Sequence, residues 1–210
     1  MLNTIKDIMN HYIGEPPSKI TVNNKEMSPK EYLVNVLKLN LDDYVDILSY
    51  KQEPIWKQVE YITADNWWHC KDYYNVPLED FMAILKKAIR SGYTVGIGGD
   101  VSEPGFNSTE QVAMIPTFDI PWEFINDDAR QLRWNNGTTT DDHGMHILGY
   151  VEKDGIDWYL LKDSGSGSRN VGEGSETFGY YFFREDYVKL KMMDFTVHKD
   201  VIKDILAKFK

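Results

Sequence analysis

His143 opens one apolar run of this 210-residue chain, and Asp163 closes the next. The two runs contain Met145-His146-Ile147-Leu148-Gly149-Tyr150 and Trp158-Tyr159-Leu160-Leu161-Lys162, with Glu152-Lys153-Asp154-Gly155 between them. Asp-Gly between two such runs is a strong local hairpin signal. An antiparallel hairpin brings its open ends together, so the imidazole and the carboxylate can meet across the ladder. A histidine held by an acceptor is the base-and-orienter part of a nucleophilic triad. The nucleophile must then come from elsewhere. Taken alone, a strand histidine is more often a satisfied structural residue, so the surrounding segments have to carry the decision.

Other candidate groups are weaker. His146 lies three positions after His143 and points to the opposite strand face, which makes it structural and disfavours a His143/His146 metal site. Cys70 is the single thiol. Its neighbours Trp67, Trp68 and His69 offer no helix start that would lower its pKa. The Gly165 to Gly174 stretch lacks the Gly-Lys-Ser/Thr ending of a phosphate loop and reads as a flexible turn. Asp127-Asp128 and Asp141-Asp142 have no EF-hand spacing and read as surface charge.

Composition bounds the function class. The net charge is −10, which disfavours a nucleic-acid partner, since that would call for a basic surface. A hydrophobic fraction of 42% and an aromatic fraction of 13% fit a globular chain. A lone cysteine rules out an internal disulfide. No apolar run approaches the roughly 18 residues of a membrane span, and the start lacks a signal-peptide core. The expectation is a cytoplasmic protein without a membrane partner.

The elements that must position the pair follow from periodicity. Residues 2 to 13 carry Leu2, Ile5, Ile8, Met9 and Tyr12 at helical spacing. Ile20 to Val22 is extended and turned by Asn23-Asn24. Ser28-Pro29-Lys30-Glu31 is a helix start with a capping box, leading to Tyr32, Leu33, Val36 and Leu37. Leu41 to Tyr50 reads as a loose helix or turn, and Ile55 to Ile62 as a weak strand. Pro77 opens the clearest helix, with Leu78, Phe81, Ile84, Leu85, Ala88 and Ile89 on one face and Gly92 after it. Tyr93 to Ile97 is a buried strand. Residues 102 to 140 are loop-rich, with a short helix from Asp127 to Leu132. After the hairpin come strands at Gly179 to Phe183 and Lys191 to Val197, then a helix from Asp200 to Phe209. Helices first and mostly antiparallel strands later make an α+β pattern.

Asp142-His143-Gly144 with Gly149-Tyr150, then Lys162-Asp163-Ser164 and Gly179-Tyr180, resembles the C-terminal half of papain-like cysteine peptidases. There the corresponding segments read roughly Asp-His-Ala, Gly-Tyr, Lys-Asn-Ser-Trp-Gly and Gly-Tyr. The bleomycin hydrolase and bacterial aminopeptidase C branch is the most similar. It is matched also by Gly14-Glu15-Pro16-Pro17, Ser28-Pro29-Lys30-Glu31, Leu41-Asp42-Asp43-Tyr44-Val45, Asn75-Val76-Pro77, Gly99-Asp100-Val101 and the segment from Val197 to Ile202. The resemblance runs over nearly the whole chain. It implies the C-terminal half of a papain-like fold, helices followed by an antiparallel sheet or half-barrel. Residues 1–65 would be a helical segment leading into the peptidase domain, and 66–210 the β-rich part carrying the catalytic histidine. It implies His143 as general base, Asp163 as orienter, and hydrolysis of peptide substrates through a thioester acyl-enzyme. No cofactor is implied. Hexameric homo-oligomers are common in the branch.

Four departures qualify that reading. The family's Gly-x-Cys-Trp nucleophile and the preceding oxyanion Gln precede the region matched, so a missing N-terminal half is the expected partner. Residue 1 would then be an internal Met or the start of one chain of a two-part enzyme. Asp163 stands where the family has Asn; it can accept the Nδ1–H bond and should raise the basicity of His143. Gly165 stands where a Trp shields the His–Asn bond, so a wetter and less rigid pair is expected. The chain ends at Lys210 without the arm that restricts the branch to aminopeptidase action. The rival reading is a catalytically inactive, peptidase-like binding or scaffold protein.

Overall fold

The structure is a computed structural model that describes residues 1–165 and 176–209. The glycine-rich turn expected from Gly165 to Gly174 therefore lies, beyond Gly165, outside the described residues. The chain forms two compact units, Met1–Asp42 and Asp43–Lys210.

In the first unit, helix α1 (Leu2–Ile13) follows the expected periodicity and ends at Gly14, whose φ is 80°. Strands β1 (Ile20–Val22) and β2 (Lys25–Met27) pair antiparallel. Their turn residues Asn23 and Asn24 take φ values of 50° and 62°, and asparagine tolerates this left-handed region best after glycine. Helix α2 (Pro29–Glu31) carries the capping box: Glu31 N–H donates to Ser28 Oγ at 3.2 Å and Ser28 N–H to Glu31 Oε2 at 2.7 Å. The chain continues through Tyr32–Val36 as a π-helical turn.

The second unit contains β3 (Tyr44–Leu48), β4 (Lys57–Val59), β5 (Tyr73–Asn75), α3 (Leu78–Arg90), β6 (Val95–Gly99), β7 (Phe106–Asn107), β8 (Val112–Ala113), α4 (Asp127–Asn135), β9 (His143–Lys153), β10 (Ile156–Lys162), β11 (Tyr180–Arg184), α5 (Glu185–Lys191), β12 (Met192–His198) and α6 (Lys203–Leu206). Among the described residues the strands form one ten-stranded sheet, ordered β4-β5-β3-β12-β6-β9-β10-β11-β8-β7. Its pairs are antiparallel except β3 with β5 and β11 with β8. The α+β class read from the sequence is what the fold shows.

Several elements differ from the sequence reading: the short strands β5, β7 and β8 fall where none was expected, and three further differences bear on the frame. Leu41 to Tyr50 is a short 3-10 turn followed by strand β3 rather than a loose helix. Its strand character was masked because Ile47 and Leu48 enter two different apolar clusters, so both faces are buried and alternation is lost. Helix α5 occupies a stretch with no expected element. The closing helix shrinks to Lys203–Leu206, preceded by a 3-10 turn.

Helix α3 lies under the sheet with Leu78, Phe81, Ile84, Leu85, Ala88 and Ile89 buried, the face its periodicity announced. Its first turn is capped from afar, with Leu78 N–H donating to Asp127 Oδ1 at 2.9 Å. Asp127 is thus a helix cap rather than a surface charge. Arg130 on α4 is buried and holds three carbonyls, those of Ser49, Lys189 and Met192. It thereby ties the loop after β3 to the junction of α5 and β12.

Candidate active site

The hairpin β9–β10 turns at Asp154-Gly155, with φ values of 55° and 75°. That pattern is the type I′ turn whose twist matches the flanking strands. Near the turn the ladder pairs Lys153 with Ile156 and Gly149 with Leu160; beyond it, Ile147 pairs with Leu161 and His146 with Lys162. A β-bulge at Leu148 causes the shift. Without that shift, continuing the register from the turn would place Asp163 opposite His146, on the face away from His143. With it, Asp163 falls on the face shared by Met145 and His143. Bulges re-aim side chains in this way because one extra residue reverses the alternation.

His143 Nε2–H donates to Asp163 Oδ1 at 2.7 Å. The bond runs through Nε2 and not through Nδ1, as the serine-type analogy suggested, and Nδ1 makes no hydrogen bond among the described residues. Gly165 N–H donates to the same Oδ1 at 2.8 Å. The Asp163 residue is only 5% exposed, so the pair is not the wet one expected from Gly165 replacing a Trp. Backbone packing supplies the cover. The imidazole side chain keeps 27% exposure, enough for one ring edge to meet a substrate.

The approach to His143 is fastened by carboxylates. Asp100 accepts from Ser102 N–H (2.8 Å) and Thr140 N–H (2.8 Å). Asp142 Oδ1 accepts from Val101 N–H at 3.1 Å, and Asp142 N–H donates to the Gly99 carbonyl at 3.0 Å. The segment before the histidine is therefore stitched to the end of β6. These bonds satisfy backbone groups that a connecting loop would otherwise leave to water.

His143 and Asp163 border a cleft of about 760 Å³. Its floor includes Gly96 and Gly98 of β6, whose missing side chains leave room, and its walls include Tyr61, Asp65, Asp141 and Asp194. Burial pushes the Asp194 carboxyl up to about 8, helped by the nearby Asp141, Asp46 and Asp65 charges. Burial likewise raises Asp141 to about 6, with Asp65 adding to it. Asp141 is thus a partly buried cleft residue rather than the surface charge expected of it, and Asp194 is a cleft acid that the motifs do not single out. An Asp inside the apolar strand Met192-Met193-Asp194-Phe195 was the available signal, since a lone acid in a buried strand needs a reason.

His146 is exposed and also borders the cleft. Cys70 does not border it; its backbone is bound by the Asn66 side chain, with Cys70 N–H donating to Oδ1 at 2.9 Å. What His143 and Asp163 supply is an oriented imidazole beside an open cleft. That geometry suits proton abstraction from a thiol or hydroxyl brought to Nδ1.

Among solved structures, the chain is similar to PepW from Lactobacillus rhamnosis HN001, with a TM-score of 0.68 and 19% identity. The match covers 100% of this chain and 51% of PepW, so the chain spans about half that protein's length. At that identity the likeness is one of fold. No curated protein matches the sequence. No helix is long and apolar enough to cross a membrane among the described residues. The Peptidase C1-like family matches residues 1–210, and with the fold just described, the chain belongs to that family of papain-like peptidases.

Proposed function

We propose that this chain supplies the base-bearing part of a cysteine-type peptidase site of the aminopeptidase C kind. His143 acts as general base and Asp163 orients it. The nucleophilic thiol and the oxyanion donors come from outside residues 1–210, in the N-terminal half of the enzyme. A peptide carbonyl lying in the cleft is attacked by that thiol as its proton passes to His143. The amine leaves with the proton returned by His143, and water then hydrolyses the thioester. The observation that carries the reading is the 2.7 Å bond from Nε2 to Asp163, which leaves Nδ1 for the thiol. Assembly into a homo-oligomer accompanies this reading by resemblance to the branch.

The test is an irreversible thiol-directed peptidyl inhibitor applied to the protein isolated from its own cells, followed by mass mapping. The expected label falls on a cysteine outside residues 1–210 and is lost on His143→Ala. A label on Cys70 that disappears on Cys70→Ser overturns the assignment. Asp163 and Gly165, standing where the family has Asn and Trp, support the second reading, a peptidase-like binding or scaffold protein. A folded protein that takes no label and still binds peptides would establish it.

A further inference from the structure

Two lengths of backbone set where His143 stands: the end of β6, which pairs with it, and residues 136–142, which lead into it. Gly99 lies opposite His143 in the ladder between β6 and β9. Both lengths meet one residue, Lys191, the last of α5. A Cβ built on Gly99 would collide with the Lys191 carbonyl oxygen, and that carbonyl accepts from Asp100 N–H at 3.2 Å. The Lys191 side chain takes the other length. Its Nζ donates to the Thr138 carbonyl at 2.8 Å, to Thr139 Oγ1 at 3.0 Å and to Glu103 Oε1 at 2.6 Å.

Lys191 and Thr139 are both buried, each 1% exposed. An ion pair at such a site is weak evidence for stability, because well-packed apolar side chains often serve as well. What the ammonium adds is direction. All three of its N–H donors are used, and together they fix Thr138 and Thr139 relative to the end of α5. That end is itself held, since Arg130 donates to the Lys189 carbonyl at 3.0 Å and to the Met192 carbonyl. The Tyr187 hydroxyl, one turn earlier, donates to the Asp100 carbonyl at 2.8 Å. From there the Asp100 side chain accepts from Thr140 N–H, and the Gly99 carbonyl accepts from Asp142 N–H. The frame around the base thus starts at Lys191 and closes on both sides of His143.

We propose that Lys191 is a positioning residue for the base: it locks the segment before β9 to the end of β6 and so sets the placement of the His143 ring. The role as base rests on the function proposed above. Lys191 does not border the cleft and acts only through the backbone on either side of His143.

Inhibitor kinetics separate placement of the base from binding. The full protein and its variants, produced in its own cells, are reacted with the thiol-directed peptidyl inhibitor well below their thermal midpoints. Lys191→Met should lower the maximal labelling rate about tenfold while the half-saturating concentration stays within about twofold. Thr139→Val, which removes one acceptor, should lower that rate about threefold, and Thr139→Ser, which keeps the hydroxyl, should restore most of it. A lysine that serves stability alone would lower the midpoint and leave both constants unchanged. That result overturns the proposal, as do equal rates for the two Thr139 variants or a loss confined to the half-saturating concentration. Nitrogen-15 spectra of the histidine rings give a readout that needs no thiol. The His143 signals, identified by their loss in His143→Ala, should report the Nε2–H tautomer in the unaltered protein and a mixture of tautomers in Lys191→Met. An unchanged His143 ring in that variant sinks the positioning role whether or not the protein is labelled. A changed ring in a protein that takes no label removes the peptidase reading alone. If Lys191→Met does not fold, the two Thr139 variants carry both measurements.

Discussion

The Gly165 backbone closes over the imidazole edge of His143. A Cβ at Gly165 would stand 2.9 Å from His143 Cε1 and 3.2 Å from Asp163 Oδ1. No side chain fits there without moving the ring, so the backbone takes the covering role that a bulky neighbour would otherwise have. Gly165→Ala should tilt the imidazole and slow labelling by the peptidyl inhibitor about tenfold or more, in line with the steep dependence of catalysis on placement. Its thermal midpoint should move little. A labelling rate within twofold of the unaltered protein would show that the ring tolerates the methyl.

Asp163 can be replaced by an isostere that keeps the acceptor. Asp163→Asn retains an amide oxygen for Nε2–H and should keep labelling within about tenfold. Asp163→Ala removes the acceptor that His143 and the Gly165 N–H share, so labelling should fall by about a hundredfold or more. Stability should drop by about 1–3 kcal/mol. Equal rates for the two variants would mean that orientation of His143 does not depend on this carboxyl.

Asp194 makes stability depend on pH with a definite sign. Its carboxyl is raised by burial and by neighbouring acids from 3.8 to about 8 in the folded protein. The folded state therefore holds the proton more tightly than the unfolded chain. The associated stability is complete below about pH 4 and is lost as pH rises towards 8. Asp194→Asn should raise the thermal midpoint at pH 8.5, by an amount on the order of a few kcal/mol in stability, and change it little at pH 4. A variant less stable at both pH values would contradict this.

Arg130 stands apart from the chemistry but sustains its frame. Burial lowers its guanidinium to about 10, so it remains charged at neutral pH while holding the Ser49, Lys189 and Met192 carbonyls. Arg130→Met strips donors from three carbonyls and should cost about 3 kcal/mol or more. Urea unfolding checks it; a loss under about 1 kcal/mol would show that water or another group replaces the arginine.

The sequence by itself determined the elements with unambiguous local chemistry. The period of Leu78 to Ile89, the Ser28/Glu31 capping box and the Asp154-Gly155 turn each depend on neighbours within a few residues, and each formed as read. The same locality made His143 and Asp163 legible as the two open ends of one hairpin. Strand β3 was not legible, because burial on both faces comes from two apolar clusters assembled from distant parts of the chain.

Tertiary structure alone decided which imidazole meets the carboxylate. Counting along a regular ladder from the turn favours His146, and only the bulge at Leu148 transfers Asp163 to the face of His143. The choice of Nε2 follows from the same backbone path. The convergence of Asp141, from the loop before β9, with Asp194, from β12, was likewise invisible in the sequence. Those residues meet only because β6 lies between their strands and carries glycine at the point of contact. Local propensity acts over a few residues, whereas register and strand order are fixed by long-range pairing. In this chain the chemistry depends on the latter.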